Sequence, residues 1–326
     1  MNEEQKVELK LIHMEEVVSK EVSWLWYPYI PYGKITVIEG DPGEGKTTLV
    51  LKLAAMLSKG LPLPCDDDRP YEPIHIIYQT AEDGIDDTIK PRLEQNGADC
   101  SMIRVIDETE KELSMTDERL EQAIVETNAK LIILDPIQAY IGATVDMHRA
   151  NEIRPVLKKL GMIAEKYQCA VILIGHMNKA SGSKSTYRGL GSIDIMAAVR
   201  SLIFIGKVRK DPTTRVLIHE KSSLAPPGET MAFKLGDEEG FRWVGAYEIS
   251  ADELLDGKEG KATETKLERG AKLIRELLAD KKEISIRELD EKAKEQGISG
   301  RTMCDVRSRM KNELEYQVNE KQENSI

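Results

Sequence analysis

The sequence predicts an α/β protein with a largely parallel central sheet, a β-rich later part and a small all-α tail. Short apolar runs rich in Ile and Val suit strands that are buried on both faces of a parallel sheet. Amphipathic helical spacing separates such runs, most clearly at 149–167. After residue 200, strand-like runs follow one another across short turns, which favours antiparallel hairpins that extend the sheet. The four apolar runs lie at 34–40, 73–79, 129–135 and 169–175.

Composition places few restrictions on function. The chain has 326 residues, enough for one large core and a small satellite domain. Its four cysteines are far apart and lack the spacing of a zinc site or a disulfide framework, which fits a reducing cytosol. No apolar run approaches membrane-spanning length, so we expect a cytoplasmic protein without a membrane partner.

Charge is distributed unevenly along the chain. The formal net charge is −11, which by itself argues against a nucleic-acid partner. The segment 258–326, however, carries 16 Lys and Arg against 15 Asp and Glu, so it is about neutral while the part before it is acidic. Residues 251–265 are polar and weakly periodic, which is typical of a linker. The predicted division is an α/β domain over 1–250, a linker over 251–265 and a helical domain over 266–326.

The strongest chemical signal is GDPGEGKTT at 40–48, which has the form GxxxxGK[ST] between a strand and a helix. Its glycines allow a tight turn that aims backbone N–H groups at phosphate oxygens, and the helix N-terminus adds partial positive charge. Lys46 would reach the β- and γ-phosphates of ATP, and the Thr47 hydroxyl would ligate Mg²⁺. The alternative is a glycine-rich turn without a ligand. The residues expected to hold the nucleotide are Gly40, Asp41, Pro42, Gly43, Glu44, Gly45, Lys46, Thr47 and Thr48.

A nucleotide-hydrolysing site also needs a carboxylate at the end of a neighbouring strand. LIILDP at 131–136 supplies Asp135, which would hold the Mg²⁺ shell through water. A lone Asp at a strand end is otherwise a common cap or turn former. Pro136 stands where a glutamate would serve as the general base, so the base must come from elsewhere.

The segment YQTAEDG at 78–84 offers that base. Glu82 follows a predicted strand, and a strand adjacent to the phosphate loop would bring its carboxylate near the attacking water. Asp83 is the alternative base one residue further on. The competing interpretation is an acidic start to a helix, because Asp and Glu favour first turns.

These motifs together resemble the RecA-like core of plasmid RepA-type hexameric ATPases, over residues 20–250. The resemblance rests on GDPGEGKTT, QTAED, LIILDP and the strand that ends in GHMNK. It implies that His176, at the end of that strand, senses the γ-phosphate. It also implies that 178–188 is a mobile loop at the channel of a ring, where Lys179, Lys184 and Arg188 would bind single-stranded DNA. DnaB-type helicases and KaiC-like proteins are more distant relatives by the same resemblance.

The resemblance also implies a role for GKVRK at 206–210. RecA-like ring ATPases carry a Lys-x-Arg pair on a late strand that projects into the neighbouring subunit's nucleotide site. Lys207 and Arg209 match that spacing, and alternation would put both on one face of a strand. Their charge would then stabilise the transition state across the interface. Two cations on an edge strand are otherwise a common guard against aggregation.

The tail has the pattern of three amphipathic helices with a Gly turn before the third, which indicates a helix-turn-helix. Ser299 is a suitable cap for the third helix, whose polar side suits phosphate contacts and entry to the major groove of duplex DNA. The tail resembles the winged-helix tails of RepA-like ATPases, although no wing is evident after the third helix. Charged helical tails are otherwise often solvated or bind a protein partner. The cations expected to contact DNA are Arg301, Arg307, Arg309 and Lys311.

Three functions compete for this chain. The first is an ATP-hydrolysing ring, a hexamer by resemblance, that moves on or unwinds DNA in replication of a plasmid or other mobile element. The second is an ATP-switched DNA-binding regulator or loader without unwinding activity. The third, a small-molecule phosphotransferase, is disfavoured because the sequence has no Arg-rich lid. The expected cofactors are ATP and Mg²⁺.

Overall fold

The computed structural model describes residues 11–325 apart from several short segments. The segments outside the description are 65–71, 144, 148, 177–192, 238–239, 259, 281–282, 312, 315–316 and 319–323. Three of the cations predicted to bind DNA, Lys179, Lys184 and Arg188, therefore lie outside the described residues.

A ten-stranded sheet forms the body, in the order β12-β11-β10-β9-β8-β3-β7-β6-β4-β5. Pairing is parallel from β8 to β5 and antiparallel from β8 to β12. The predicted parallel sheet and its antiparallel extension are thus confirmed. The strands are β1 (Trp24–Trp26), β2 (Ile30–Pro31), β3 (Ile35–Gly40), β4 (Ile76–Thr80), β5 (Ile103–Arg104), β6 (Leu131–Asp135), β7 (Ala170–His176), β8 (Ser201–Lys207), β9 (Thr214–Ser222), β10 (Met231–Asp237), β11 (Gly240–Glu248), β12 (Lys261–Ala262), β13 (Gln317–Val318) and β14 (Asn324–Ser325).

Helices cover both faces of the parallel half. Side chains alternate along β3, so Val37 packs into the core beneath α3 and α5, whereas Ile38 packs into the core beneath α1. Among the described residues, no helix combines the length and apolar character that a bilayer crossing needs. The helices are α1 (Lys46–Ser58), α2 (Lys90–Gln95), α3 (Glu118–Thr127), α4 (Ile137–Tyr140), α5 (Ala150–Tyr167), α6 (Ile193–Ala198), α7 (Ala251–Leu255), α8 (Lys266–Asp280), α9 (Ile286–Glu295) and α10 (Gly300–Arg309).

The strand order decides which side chains meet at the carboxyl edge of the sheet. β7 lies between β3, which leads into the phosphate loop, and β6, which ends at Asp135. β4 lies beyond β6 and does not adjoin β3. The expectation that the strand before Glu82 adjoins the phosphate-loop strand is therefore wrong. His176, at the end of β7, occupies the central position instead.

A buried histidine joins β8 and β9 to the aromatic segment that precedes β3. The Nδ1 atom of His219 accepts from the Gly228 N–H at 2.9 Å, so the ring proton is on Nε2. Nε2 lies 3.0 Å from the Ser201 Oγ, which in turn donates to the Tyr29 carbonyl at 2.6 Å. Burial lowers the pKa of His219 to about 4, because a charged imidazole would lose its hydration there.

We expect this histidine to make the protein less stable in mild acid. The unfolded chain takes up the proton below the ordinary histidine pKa of about 6.5, while the folded chain resists it until about pH 4. As the pH is lowered from about 6.5 to about 4, the free energy of unfolding should therefore fall by about 1.4 kcal/mol for each pH unit. Urea unfolding of His219→Gln between pH 7 and pH 4 should show a correspondingly shallower dependence, with His13→Gln at an exposed position as the control. Equal slopes for the wild type and both variants would contradict this.

The predicted linker 251–265 contains regular structure. Ser250 accepts from the Glu253 N–H and Glu253 bonds back to Ser250, a capping box that starts α7. Leu254 of α7 is buried in a cluster with Phe204 of β8 and Ile218 of β9. β12 then pairs with β11 at the edge of the sheet. The body therefore extends past residue 260, because a capping box and a buried leucine outweigh the polar composition of this stretch.

The tail packs α8, α9 and α10 around its own apolar core. The apolar faces of the three helices meet in this core, as their amphipathic pattern predicts. Its buried residues include Ile274, Leu289, Ala293, Met303, Val306, Met310 and Leu314, and the partly buried Leu267, Ala271, Leu278 and Ile286 pack against them. Ser299 caps α10 by accepting from the Thr302 N–H, as expected. A two-stranded antiparallel pair, β13 and β14, follows α10, where no wing was evident from the sequence. The tail meets the body where the Glu229 carboxylate accepts from the Lys266 N–H at the start of α8.

Candidate functional site: a phosphate loop at the carboxyl edge of the sheet

The phosphate loop joins β3 to α1, and glycine is required in it for steric reasons. A Cβ at Gly40 would lie 2.2 Å from the Ile205 carbonyl oxygen of the adjacent strand. Gly45, directly before α1, has φ +88°, which L side chains rarely adopt. The first N–H groups of α1 thus point out of the carboxyl edge of the sheet, where they suit an anion.

Lys46 is buried in this loop. Its Nζ donates to the carbonyl oxygens of Gly40 and Asp41, each at 2.9 Å, and lies 3.3 Å from Nδ1 of His176. Because an ammonium has only donors, Nδ1 accepts, and Nε2 carries the ring proton. Burial lowers the pKa of Lys46, and the negative charge of Asp135 opposes that change.

Glu82 completes a row of three side chains at the mouth of the site. One of its carboxylate oxygens lies 3.8 Å from Nε2 of His176, and the side chain is 63% exposed. Asp83, the alternative base, instead forms an ion pair with Arg92 at 3.3 Å. The row Lys46–His176–Glu82 therefore links the phosphate loop to the segment after β4, although the two strands that lead into them are not neighbours.

Asp135 meets the first turn of α1. Its Oδ2 accepts from the Thr47 hydroxyl at 2.7 Å and from the Tyr78 hydroxyl at 3.1 Å. Burial raises the pKa of Asp135, whereas the two hydrogen bonds favour the carboxylate and lower that pKa. A hydroxyl and a carboxylate in contact supply the hard oxygen ligands that Mg²⁺ prefers, so these residues fit the metal.

The predicted cations Lys207 and Arg209 point to different elements. Lys207 ends β8, and its Nζ lies 3.8 Å from a carboxylate oxygen of Glu44 in the phosphate loop. Arg209 lies beyond the strand and donates to the Leu255 carbonyl at 3.0 Å, at the end of α7. The expectation that both side chains share one face of a strand is therefore corrected, because the strand ends before Arg209. Burial raises the pKa of Glu44, and the nearby Lys207 opposes that change.

Sequence reasoning missed a cleft of about 360 Å³ beside the phosphate loop. The β10–β11 hairpin folds against the loop so closely that a Cβ at Gly45 would meet Leu235 Cδ1 at 2.5 Å. The contact between Leu235 and the phosphate loop joins segments that are far apart in the chain. No local pattern in the sequence predicts it. The lining residues are Thr48, Lys52, Arg92, Gln95, Asn96, Leu235, Gly236, Gly240 and Phe241.

The cations predicted on the tail are divided. Arg309 and Lys311 are exposed at the end of α10. The Arg307 side chain is only 13% exposed and forms an ion pair with Asp290 at 2.7 Å, so its guanidinium fastens α10 to α9. The expected role of Arg307 as a DNA contact is corrected accordingly. The Arg301 side chain lies outside the described part of the structure.

The fold and the site define this protein as a P-loop ATPase: an α/β core with a mostly parallel sheet, a GxxxxGK[ST] loop and a strand-end Asp bonded to its threonine. The family model for an AAA domain, AAA_25, matches residues 3–182. The chain belongs to this family.

Two curated relatives are also similar to this chain. The DNA repair protein RadA of Bacillus subtilis (strain 168) is 24% identical over 250 residues, covering 76% of this chain and 49% of RadA. RadA of Halalkalibacterium halodurans is 28% identical over 149 residues, covering 45% of this chain and 28% of that protein. The chain thus spans about half the length, or less, of these relatives.

Two solved structures are similar at lower identity. The KaiC-like protein PH0186 from Pyrococcus horikoshii OT3 has a TM-score of 0.47 and 19% identity, over 68% of this chain and 95% of that one. The ATPase domain of G40P has a TM-score of 0.49 and 16% identity, over 65% of this chain and 84% of that one.

Proposed function

We propose that this ATPase is a DNA-dependent motor whose hydrolysis is coupled to DNA through His176. The observation that carries the proposal is the position of His176, between Lys46 and Glu82 and directly before the segment that holds Lys179, Lys184 and Arg188. A γ-phosphate that engages Lys46 competes with His176 for the same ammonium. The end of β7 would therefore respond to the nucleotide and pass that response to the segment that follows it.

The chain's own residues have separate roles in this scheme. Lys46 and the N–H groups of α1 bind phosphate oxygens, and the Thr47 hydroxyl with Asp135 would hold Mg²⁺. Bound Mg²⁺ supplies positive charge that offsets the charge on the β- and γ-phosphates. Glu82 accepts the proton of the attacking water, since its carboxylate lies at the exposed mouth of the site while Asp83 is held by Arg92.

The nucleoside would occupy the cleft beside Thr48. Phe241 and Leu235 offer apolar contacts for a base, and the side-chain amides of Gln95 and Asn96 offer hydrogen bonds. Thr48 lines this cleft and directly follows Thr47 in the chain, so the cleft lies next to the proposed metal site.

A ring, of hexamer size by the resemblance to RepA-type ATPases, would use Lys207 and Arg209 in the neighbouring subunit's site. Within one chain Lys207 forms an ion pair with Glu44 of its own phosphate loop. In the proposed ring, Lys207 would leave Glu44 and contact the nucleotide of the neighbouring subunit. A head-to-tail contact that closes is required for this arrangement. The names of the RadA relatives, as DNA repair proteins, support DNA as the substrate class; a role in plasmid or mobile-element replication rests on the resemblance alone.

The second candidate is an ATP-switched regulator or loader that binds duplex DNA through its tail. The observation that favours it is the tail's arrangement of three helices followed by a strand pair, which agrees with a winged helix-turn-helix. Arg309, the last residue of α10, and Lys311, just beyond it, are exposed and would then contact phosphates.

The two candidates differ in how ATPase activity responds to DNA. For a motor, single-stranded DNA should stimulate hydrolysis, and replacing Lys179, Lys184 and Arg188 by Ala should abolish that stimulation. Replacing Arg309 and Lys311 by Ala should spare it but weaken duplex binding, and should lower the log–log salt slope by about 0.9 for each phosphate that is no longer neutralised. Steady-state ATPase assays and fluorescence anisotropy at several salt concentrations measure both effects. If single-stranded DNA does not change the ATPase activity of the wild-type protein, the motor function is excluded and the switch or loader function remains.

A further inference from the structure

Tyr78 is a buried polar side chain without a role in the proposed hydrolysis. It lies in β4, where the preceding residues Ile76 and Ile77 are aliphatic, and only 1% of its surface is exposed. Its hydroxyl donates to Asp135 Oδ2 at 3.1 Å, the same oxygen that accepts from Thr47 at 2.7 Å. One carboxylate oxygen therefore accepts two hydrogen bonds from hydroxyl groups, one on α1 and one on β4.

The register of the sheet explains how Tyr78 reaches this oxygen. Tyr78 pairs with Ile133 and Thr80 pairs with Asp135 in the parallel ladder between β4 and β6. Positions two apart in a strand share a face, so Tyr78 and Asp135 lie on the same side of the sheet, about 7 Å apart along the diagonal. A phenol spans this distance with its hydroxyl, whereas a phenylalanine ring would fill the same space without a donor.

We propose that Tyr78 is a positioning residue for the magnesium site. Its hydrogen bond keeps Oδ2 of Asp135 directed at α1, so the Thr47 hydroxyl keeps donating its hydrogen bond to Asp135. The lone pairs of Thr47 then face away from Asp135, toward the phosphate side. A hydroxyl can ligate a cation only through its lone pairs, so this orientation prepares Thr47 as a ligand. The inference rests on the proposed roles of Thr47 and Asp135 toward Mg²⁺.

The test compares nucleotide binding with and without the metal. A fluorescent, non-hydrolysable ATP analogue is titrated against the full chain in excess Mg²⁺ and in EDTA, and the ratio of the two Kd values reports the metal's contribution. Loss of a partner that orients a metal ligand costs about 10- to 100-fold in metal affinity. We expect Tyr78→Phe to reduce the ratio by about tenfold while the Kd in EDTA stays within about twofold of wild type.

Tyr29→Phe is the matched control. Tyr29 is equally buried, and its hydroxyl donates at 2.7 Å to the Glu229 carbonyl, remote from the phosphate loop. Its replacement removes a hydrogen bond of similar length and should leave the ratio unchanged. If both variants lower the ratio equally, the effect comes from general destabilisation and the proposal is overturned.

Asp135→Asn separates this inference from the magnesium site itself. If Asp135→Asn leaves the ratio at the wild-type value, the proposed role of Asp135 fails. If Asp135→Asn lowers the ratio and Tyr78→Phe does not, the magnesium site stands and the positioning role is wrong. In the double variant, Tyr78→Phe should have no further effect, because the residue through which it acts is already altered. A Tyr78→Phe protein that does not fold would assign the hydroxyl to stability and overturn the proposal.

Discussion

Glu82→Gln protein should bind ATP and Mg²⁺ with an affinity within a few-fold of wild type but hydrolyse ATP about 10²- to 10⁴-fold more slowly. The amide keeps the size of the side chain and removes the proton acceptor, and general base catalysis contributes an effect of this order. Glu82 is suited to the role because its exposed carboxylate stands at the mouth of the site beside His176. Single-turnover hydrolysis and nucleotide titration measure the two quantities separately.

Asp83→Asn is the matched control, since it makes the same change one residue away. The Asp83 carboxylate is occupied by Arg92 at 3.3 Å, so its loss should affect the turn after β4 more than the chemistry. Hydrolysis should stay within about tenfold of wild type. The reverse pattern, with Asp83→Asn slow and Glu82→Gln active, would move the base to Asp83.

Lys46→Ala should remove nearly all nucleotide-dependent function. The variant loses a buried cation whose Nζ lies among two loop carbonyls and His176, where the phosphates would bind. Loss of one electrostatic donor at a reacting phosphate typically costs about 10²–10³ in kcat, and nucleotide affinity should fall as well. The fold should persist, because burial lowers the pKa of Lys46 and the folded state therefore holds its ammonium at a cost in stability.

Lys59→Ala, just past the other end of α1, is the control for Lys46→Ala. It removes a lysine from the same segment without touching the phosphate loop, so hydrolysis should be unchanged. Circular dichroism and thermal unfolding show whether each variant is folded. Wild-type turnover by a folded Lys46→Ala protein would contradict the assignment of the loop as the catalytic phosphate site.

The central strands were predictable because burial on both faces leaves a local mark. The runs at 34–40, 129–135 and 169–175 correspond to β3, β6 and β7 with ends that differ by about one or two residues, the usual uncertainty of strand boundaries. The phosphate loop was equally predictable from the sequence, because Gly40 and Gly45 occupy positions where a Cβ would clash or the backbone φ is positive. Both signals are confined to a few neighbouring positions.

Features that depend on spatial order were not predictable. Sequence alone could not tell that β7 separates β3 from β6, and so the strand before Glu82 was assigned the wrong neighbour. The approach of Leu235 to the phosphate loop and the bond from Tyr78 to Asp135 also depend on which strands lie side by side.

The error at 251–265 had a different origin. Ser250 and Glu253 have the spacing of a capping box, followed by Leu254, so a helix start was encoded there. Polar composition concealed it, because short helices at the edge of a domain bury only a few side chains. The capping box was thus a local signal for a helix, but the linker was predicted from the polar composition averaged over 251–265.

The separate core of the tail has a consequence for cooperativity. The described residues of that core all lie between Leu267 and Leu314, and the body's clusters draw on residues before 256. Apolar burial is the main source of unfolding cooperativity, so two cores without shared members need not melt together. Nucleotide that binds the body stabilises only the unit that contains its site. The chain would then behave as two thermodynamic units, of which ATP protects one.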